Sequence, residues 1–214
     1  MLSLTDAIVA LRRDDVLDEV RRRVEAGDAP LDIIEQCRAG MVSVGDRHAA
    51  GEFFLAELVL AGEIFKAAFA ILDPFLTRSG SRLTGERATV VIATPQGDIH
   101  DLGKDMVAMM LRAYGFEVHD LGVDVEPRSI VDTVREVHPQ FVALSVLLTT
   151  AIGPMKQVAD LLAEEGLRRE CKLLIGGGVT TPMVKQHVGA DLQTTNVMEG
   201  VQYCLSMAAE ASRV

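Results

Sequence analysis

The residues best suited to chemistry in this chain lie close together, in residues 97–104 (GDIHDLGK). Asp98 precedes His100 by two positions, and Gly97 and Gly103 flank the pair. A carboxylate can accept a hydrogen bond from one imidazole nitrogen and leave the other nitrogen free to bind a metal ion. No second cluster of His, Cys or carboxylate residues suggests a zinc site here. A metal site with one histidine is therefore expected only where a macrocycle supplies the remaining ligands.

The flanking sequence predicts that this segment is a loop at the edge of a sheet. Residues 88–93 (ATVVIA) form an apolar run that is typical of a buried strand. A helical pattern follows, with residues spaced by fours: Leu102, Met106, Met110 and Tyr114. The Asp-His segment is thus expected at the carboxyl end of a strand, which is where ligands bind in open α/β sheets.

Two further short motifs follow later apolar runs. Ser145 and Leu147 come at the end of a predicted strand over residues 141–145, and three glycines, residues 176–178, come after a predicted strand over 171–175. Carboxyl ends of parallel strands meet on one rim of a sheet, so we expect all three motifs on the same rim. Each motif alone also has a structural explanation, since glycines serve tight turns and a serine can cap the next helix.

The hydrophobic pattern divides the chain into two regions. Residues 1–76 are predicted to be helical, with a break near residues 45–51, an end near Pro74, and a stripe spaced for a packed bundle: Phe54, Leu58, Ala61, Phe65, Ala68 and Leu72. From residue 88, five apolar runs alternate with helical patterns, which predicts a flavodoxin-like (Rossmann-like) parallel sheet. The predicted organisation is a four-helix cap (1–76), a linker (77–87, TRSGSRLTGER) and an α/β domain (88–214).

Composition narrows the classes of function. The 214 residues carry a net charge of −10, which disfavours nucleic acid or an anionic membrane as the main partner. The three cysteines, Cys37, Cys171 and Cys204, lack metal-ligand spacing and are expected to be reduced. The sequence has neither a signal-peptide pattern nor a membrane-length apolar run, so we expect a soluble cytoplasmic protein.

The three motifs, in the order D-x-H-x-x-G, S-x-L and G-G, resemble the cobalamin signature of the methionine synthase and B12-dependent mutase families. Upstream, Gly45-Asp46 and residues 51–58 (GEFFLAEL) resemble the helical cap of methyl-transferring corrinoid proteins, with Ala56 where those proteins usually have proline. The chain is identified as a member of the small corrinoid proteins of methanol, methylamine and O-demethylase methyltransferase systems.

This resemblance implies a helical cap and a domain that binds cobalamin base-off and His-on, with His100 as the axial cobalt ligand and Asp98 on the other ring nitrogen. The implied cofactor-binding residues are Gly97, Asp98, Ile99, His100, Asp101, Leu102, Gly103, Ser145, Leu147, Thr149, Gly176, Gly177, Gly178 and Val197. Phe54 and Leu58 of the cap are candidates for covering the upper cobalt face, although both could instead pack the bundle.

The function that the resemblance implies is methyl transfer through the cofactor, which would alternate between cob(I)alamin and methylcob(III)alamin. The implied partners are a substrate-specific methyltransferase, expected to be a TIM barrel, a second methyltransferase that serves tetrahydrofolate or a thiol, and a reductive activase. The chain would act as a methyl-carrying subunit rather than a stand-alone catalyst, and no residue is assigned a catalytic role. The linker 77–87 is the expected hinge for moving the cap.

One departure and two alternatives remain open at this level. Ala151 occupies the position where methionine synthase has a hydroxyl that completes a relay with Asp and His; Thr149 or Thr150 could replace it, or the relay could end at Asp98. The alternative functions are a B12-dependent sensor or cobalamin carrier, and the small subunit of an adenosylcobalamin-dependent mutase. The preferred upper ligand, methyl or adenosyl, would separate these functions.

Overall fold

The structure, a computed structural model, describes residues 3–79 and 88–211. These residues form two compact units, one built from 3–79 with 113–115 and the other from 88–112 with 116–211. Of the predicted linker 77–87, the first three residues continue a helix, and residues 80–87 lie outside the described part of the chain. The proposed domain division at this linker therefore stays a prediction.

The first unit contains four helices in its described part: α1 (Leu4–Val9), α2 (Arg13–Glu25), α3 (Pro30–Ala49) and α4 (Leu55–Ser79). The Ser3 hydroxyl caps α1 by accepting the Asp6 N–H, and Gly27, at a φ of +84°, follows the end of α2. The helices bury a common apolar core, which includes Ile8, Val20, Ile34, Met41, Ile64 and Leu72. The predicted all-helical character of this region is confirmed.

Two predicted helix boundaries in this unit are wrong. Helix α3 continues through Gly45 to Ala49, because a helical glycine costs only about 1 kcal/mol, less than the burial of Met41 and Val44 contributes. Helix α4 continues past Pro74 to Ser79. Pro74 leaves the carbonyl of Ala70 without its helical donor, but Ala70 is exposed and water can satisfy that carbonyl.

The second unit is a parallel sheet with helices between its strands. The strands are β1 (Thr89–Ala93), β2 (Glu117–Asp120), β3 (Phe141–Ser145), β4 (Lys172–Gly176) and β5 (Leu192–Thr194), in the order β2-β1-β3-β4-β5. The helices are α5 (Leu102–Ala113), α6 (Pro127–Val137), α7 (Ile152–Glu164), α8 (Pro182–Val188) and α9 (Val197–Ala211). The predicted parallel α/β fold is confirmed, and all five predicted strands are present.

Residues on the central strands are buried on both faces of the sheet. Four successive residues of β1 and the first four of β3 are buried, and Val91, Val142 and Leu173 share a core with residues of α6 and α7. Strands covered on both faces need apolar side chains at every position. This explains why these strands appear in the sequence as unbroken apolar runs.

The strand order has one point at which the direction of winding reverses. The chain leaves β1 toward β2 on one side of the sheet and leaves β3 toward β4 on the other side. The carboxyl ends of β1 and β3 therefore flank the point where the direction of winding reverses, which is the usual ligand-binding position in this class of fold.

Among the helices of the described residues, none combines the length and apolar character needed to cross a bilayer.

Candidate functional site

The loop between β1 and α5 places Asp98 directly against His100. Asp98 Oδ1 lies 2.6 Å from His100 Nδ1 and also accepts the backbone N–H of His100 at 3.0 Å. The Asp98 side chain is completely buried, whereas the imidazole is half exposed. The carboxylate thus holds the Nδ1 side of the ring, and the rest of the imidazole is exposed to solvent.

The other carboxylate oxygen of Asp98 ties this loop to the end of β3. Oδ2 accepts the backbone N–H groups of Leu147, at 2.6 Å, and Leu148, at 2.9 Å. Burial raises the pKa of Asp98, but the N–H groups of His100 and Leu147, the His100 ring and the Leu148 N–H lower it. The balance holds the pKa at about 2, so Asp98 is ionised at neutral pH.

The ionised carboxylate determines which nitrogen of His100 carries the proton. Asp98 Oδ1 can only accept, so Nδ1 of a neutral imidazole must be the donor in the 2.6 Å contact. The lone pair of the neutral ring then lies on Nε2. That is the state in which an imidazole binds a metal, with a carboxylate behind it that strengthens its donation.

Gly176 ends β4, and Gly177 and Gly178 follow it on the same rim. The three positions differ in how strictly they require glycine. At Gly177, with φ +100°, a β-carbon would lie 2.0 Å from the Val146 carbonyl oxygen, which no side chain can tolerate. At Gly176 it would lie 3.1 Å from the Thr194 carbonyl oxygen, and at Gly178 it would meet only the flexible end of Leu147. Position 177 therefore admits glycine alone, and the three positions keep a side-chain-free surface along the rim.

The remaining sequence-predicted residues of this unit lie on the elements expected for them. Ser145 ends β3, in register with Gly176, and its hydroxyl oxygen lies 3.8 Å from where a β-carbon at Gly103 would be. Thr149 is exposed on a short 3₁₀ turn, and Val197 is the first residue of α9. Gly97, at φ +87°, begins the Asp-His turn, and the carbonyl of Asp101 accepts the Asp105 N–H at the start of α5.

Exposed apolar side chains accompany the Asp98–His100 pair. The large ones on the loops and helix start of this rim are Ile99, Leu102, Leu147 and Leu148, and Ile99 is 71% exposed. Because Leu147 and Leu148 donate to Asp98, they lie next to the pair in space. An apolar rim around one polar ligating group is typical of a cofactor site.

The two cap candidates differ in accessibility. Leu58 is fully buried, whereas Phe54, just before α4, is 73% exposed. Leu58 is thus a core residue, the second of the two roles that the sequence left open for it. Of the two candidates, Phe54 is the one whose side chain is exposed.

The sequence left open whether a hydroxyl group completes a relay with Asp98 and His100. Ala151 is buried, and within the described residues no side-chain hydroxyl donates to Asp98. The N–H groups of Leu147 and Leu148 fill Oδ2 instead. Of the options that the sequence left open, the relay ending at Asp98 fits this arrangement.

Sequence reasoning missed several residues that support the loop. Buried Thr94 donates its hydroxyl to the His100 carbonyl at 3.2 Å, and Asp124 accepts the Gly97 N–H at 2.8 Å. Lys104 is 2% exposed and donates to both carboxylate oxygens of Asp120 at 2.7 Å. A lysine in the first turn of an apolar helix was a usable signal for the last contact, whereas nothing in the sequence marked Thr94.

Comparison with known proteins agrees with this geometry. Two family models, each described as a B12 binding domain, match residues 88–201 and residues 3–73. The dimethylamine corrinoid protein of Methanosarcina barkeri is 37% identical over 201 residues, which cover 92% of each chain.

Solved structures give the same result. A cobalamin-binding protein from Desulfitobacterium hafniense DCB-2 is 40% identical, covers 95% of this chain and 96% of its own, and superposes with a TM-score of 0.67. The methanol:cobalamin methyltransferase complex of Methanosarcina barkeri matches with 26% identity and a TM-score of 0.81, over 97% of this chain and 78% of that one.

The fold and the site thus define a class, that of the B12-binding proteins. Within this class, the chain belongs to the family of the corrinoid proteins.

Proposed function

We propose that this chain carries a methyl group on a bound cobalamin, between a methyltransferase that supplies the group and a second one that removes it. The observation that carries the proposal is the Asp98–His100 pair, with its 2.6 Å contact at the rim of the sheet and the imidazole half exposed. The similarity to corrinoid proteins of methylamine and methanol systems supports the same function.

In this proposal His100 would hold the cobalt of the cofactor. Because Asp98 is ionised and accepts from Nδ1, the lone pair of Nε2 is directed away from the carboxylate and is available to cobalt. The residues fit a cofactor bound base-off and His-on, since a protein imidazole then replaces the cofactor's own base. The cofactor supplies a nucleophilic metal centre that can accept and release a methyl group.

The glycine surface fits the nucleotide tail of such a cofactor. The backbone at residues 176–178 carries no β-carbon that would narrow the rim, and Gly177 cannot carry one. Ser145 and Thr149 offer hydroxyl groups on the adjoining β3 side, and Val197 begins α9 beyond β5. We propose that these residues border the tail, with Gly97, Ile99, Asp101, Leu102, Gly103 and Leu147 lining the loop side.

The Asp98–His100 pair would also keep the imidazole oriented independently of the metal. Four hydrogen bonds hold the Asp98 carboxylate, one of them to the ring of His100 itself. Nε2 of His100 would therefore point in the same direction before and after the cofactor binds.

The proposed partners follow from the same chemistry. A methyl donor and a methyl acceptor must each reach one metal centre, so two methyltransferases must dock in turn, the first proposed to be a TIM barrel and the second to serve tetrahydrofolate or a thiol. A reductive activase would restore the reduced metal. The solved relative in a methanol:cobalamin methyltransferase complex supports the first of these interactions.

A cytoplasmic location is part of this proposal. Cys37, Cys171 and Cys204 are all buried and free, as expected in a reducing compartment. Burial raises the pKa of Cys37 and Cys204 to about 12, so both are inert thiols rather than nucleophiles.

The test is electron paramagnetic resonance of the Co(II) form after anaerobic reconstitution with cobalamin. Wild-type protein labelled with ¹⁵N-histidine is expected to show a changed superhyperfine splitting, and His100→Gly is expected to lose the histidine contribution. His119→Gln, which alters another partly exposed histidine on β2, is the matched control and should leave the spectrum unchanged.

Methyl transfer from a methylated substrate is then measured with the reconstituted protein. A corrinoid that binds without any histidine splitting would contradict the assigned ligand. A preference for an adenosyl upper ligand over methyl would contradict the methyl carrier and favour the mutase or sensor functions.

A further inference from the structure

The loop that carries the Asp98–His100 pair is paired along its first half with the chain that follows β2. The Thr94 N–H donates to the Gly122 carbonyl at 2.9 Å, and the Val125 N–H donates to the Thr94 carbonyl at 3.1 Å. The Gln96 N–H reaches the Val125 carbonyl at 2.8 Å, and Pro95 and Val125 form an isolated parallel bridge. Residues 122–125 therefore extend the β1–β2 pairing into the site.

Within this short pairing, Asp124 contacts the turn that precedes His100 at two places. Its Oδ1 accepts the Gly97 N–H at 2.8 Å, and its own backbone N–H donates to the Asp98 carbonyl at 2.9 Å. The first bond holds the N–H of the Gln96–Gly97 peptide and the second holds the carbonyl of the Asp98–Ile99 peptide. Asp124 thus restrains the backbone on both sides of the Gly97–Asp98 peptide, and this restraint helps to set the direction in which the Asp98 side chain enters the interior.

The backbone of Asp124 is in an unfavourable conformation for a residue with a side chain. Its φ is +54°, in the left-handed region, which costs a non-glycine residue about 1 kcal/mol although Asp and Asn tolerate it best. Nearby Gly122, at φ +83°, reaches the same region without that strain. Glycine would adopt this conformation without strain, but it lacks the carboxylate that accepts the Gly97 N–H. That hydrogen bond accounts for an aspartate at this position.

We propose that Asp124 is a positioning residue for the Asp98–His100 pair. Its contacts are with the backbone of Gly97 and Asp98 rather than with the imidazole, so it acts on the ring through Asp98. Without the Asp124 carboxylate, the Gly97 N–H loses its acceptor, while the backbone bonds of the Asp98 N–H to Pro95 and of the residue-124 N–H to Asp98 remain. The Asp98 carboxylate is then held less firmly against the N–H groups of Leu147 and Leu148. The inference rests on the proposed role of His100 as a ligand, but its first test does not require the cofactor.

Three substitutions at this position separate the side chain from the backbone. Asp124→Gly removes the acceptor and also relieves the strain at φ +54°, so the variant is expected to fold. Asp124→Asn tolerates the left-handed conformation and keeps an oxygen that can accept the Gly97 N–H, which makes it the matched control. Asp124→Ala is a second removal variant that keeps the strain.

The first readout is the Nδ1–H signal of His100 in cofactor-free, ¹⁵N-histidine-labelled protein, assigned with His100→Gln. Wild type and Asp124→Asn are expected to protect this proton from exchange with solvent to the same degree. Asp124→Gly and Asp124→Ala are expected to lose about tenfold in protection, the equivalent of one hydrogen bond to a carboxylate. Cooperative thermal unfolding of each variant shows that the fold is kept.

The second readout is the Co(II) resonance spectrum of the reconstituted proteins. The Gly variant should show a smaller fraction of histidine-coordinated cobalt than wild type, and the Asn variant an unchanged fraction. If Asp124→Gly protects the His100 Nδ1–H proton from exchange as well as wild type does, the positioning role is overturned. The same result in Asp124→Ala overturns it if only that variant folds.

These outcomes are independent of those that bear on the proposed function. If wild-type protein binds cobalamin without histidine splitting, the ligand assignment fails even where the proton exchange still responds to Asp124. If the splitting is present and the exchange is the same in all variants, the ligand assignment stands and the role of Asp124 fails.

Discussion

Asp98 accepts the backbone N–H of Leu147, 49 residues further along the chain, at 2.6 Å through a carboxylate that is wholly buried. The same carboxylate holds His100 Nδ1 at 2.6 Å. One side chain thus joins the loop after β1 to the loop after β3 and also orients the ring. The joining of the two loops and the orientation of the imidazole therefore depend on the same ionised group.

The charge of Asp98 should make its contribution to stability depend on pH. Its folded-state pKa of about 2 lies below the ordinary 3.8, so the stabilisation is complete above pH 3.8 and is lost as the pH falls toward 2. We expect Asp98→Asn to unfold with a free energy lower by about 2 kcal/mol at neutral pH, with a smaller deficit in acid.

Urea unfolding of both proteins across this pH range measures the deficit. Asp14→Asn changes a fully exposed carboxylate and controls for the altered net charge. A deficit that stays constant from neutral pH into acid would contradict the assignment of the stabilisation to the ionised form.

Gly177 should be intolerant of any side chain. A β-carbon there would overlap the Val146 carbonyl oxygen, so Gly177→Ala must displace backbone and should cost about 3 kcal/mol or more, with loss of cobalamin binding. Gly189→Ala is the control, because it has a similar positive φ of +78° but open space around it. That variant should lose only about 1 kcal/mol and keep the cofactor, as thermal unfolding and cofactor retention on gel filtration can measure.

Lys104 should contribute more to stability than an ordinary surface lysine. Its ammonium is buried between Asp120 and Asp105, and these partners raise its pKa although burial alone lowers it. Lys104→Met removes the cationic partner of the Asp120 carboxylate, which keeps the Gly122 N–H, and should cost about 2 kcal/mol in urea unfolding. Lys156→Met, which breaks the partly exposed pair with Asp160, should cost less than about 1 kcal/mol. Equal losses would show that burial of the ion pair is unimportant.

Thr149 should affect the cofactor and not the fold. It is exposed on the turn after β3, where we propose that it donates to the nucleotide tail. Thr149→Ala is expected to weaken cobalamin affinity by about three- to tenfold, the effect of one neutral hydrogen bond, with unchanged thermal unfolding. Thr150→Ala, the exposed neighbour, is the control; an equal effect of both would argue for a general change in the turn.

Much of the fold could be predicted because the central strands have a distinctive sequence pattern. Val90, Val142 and Leu174 lie in runs of uninterrupted apolar residues, which in a sheet covered by helices can only be central strands. The helix boundaries near Gly45 and Pro74 were predicted less well. Local propensity favours a break at both residues, but burial and solvation around them decide the outcome.

The candidate site was predictable where its chemistry lies in side chains. Asp98 and His100 stand two residues apart, and that spacing, together with the resemblance to the cobalamin signature, indicated a carboxylate behind an imidazole. The partners of Asp98 Oδ2 are backbone N–H groups, which every residue except proline has, so the sequence could not single out Leu148. The contact of Asp124 with Gly97 depends on a left-handed backbone that no local pattern marks.

The parallel register that pairs Ser145 with Gly176, and Ala93 with Leu144, has a consequence for when the cofactor can be acquired. The segments that carry the Asp98–His100 pair, Ser145 and glycines 176–178 are far apart along the chain. They meet only through this pairing. A strand shifted by one residue would turn its side chains to the opposite face. A chain with an incomplete or misaligned sheet would therefore lack the proposed binding site, and cofactor uptake would be expected only in correctly folded molecules.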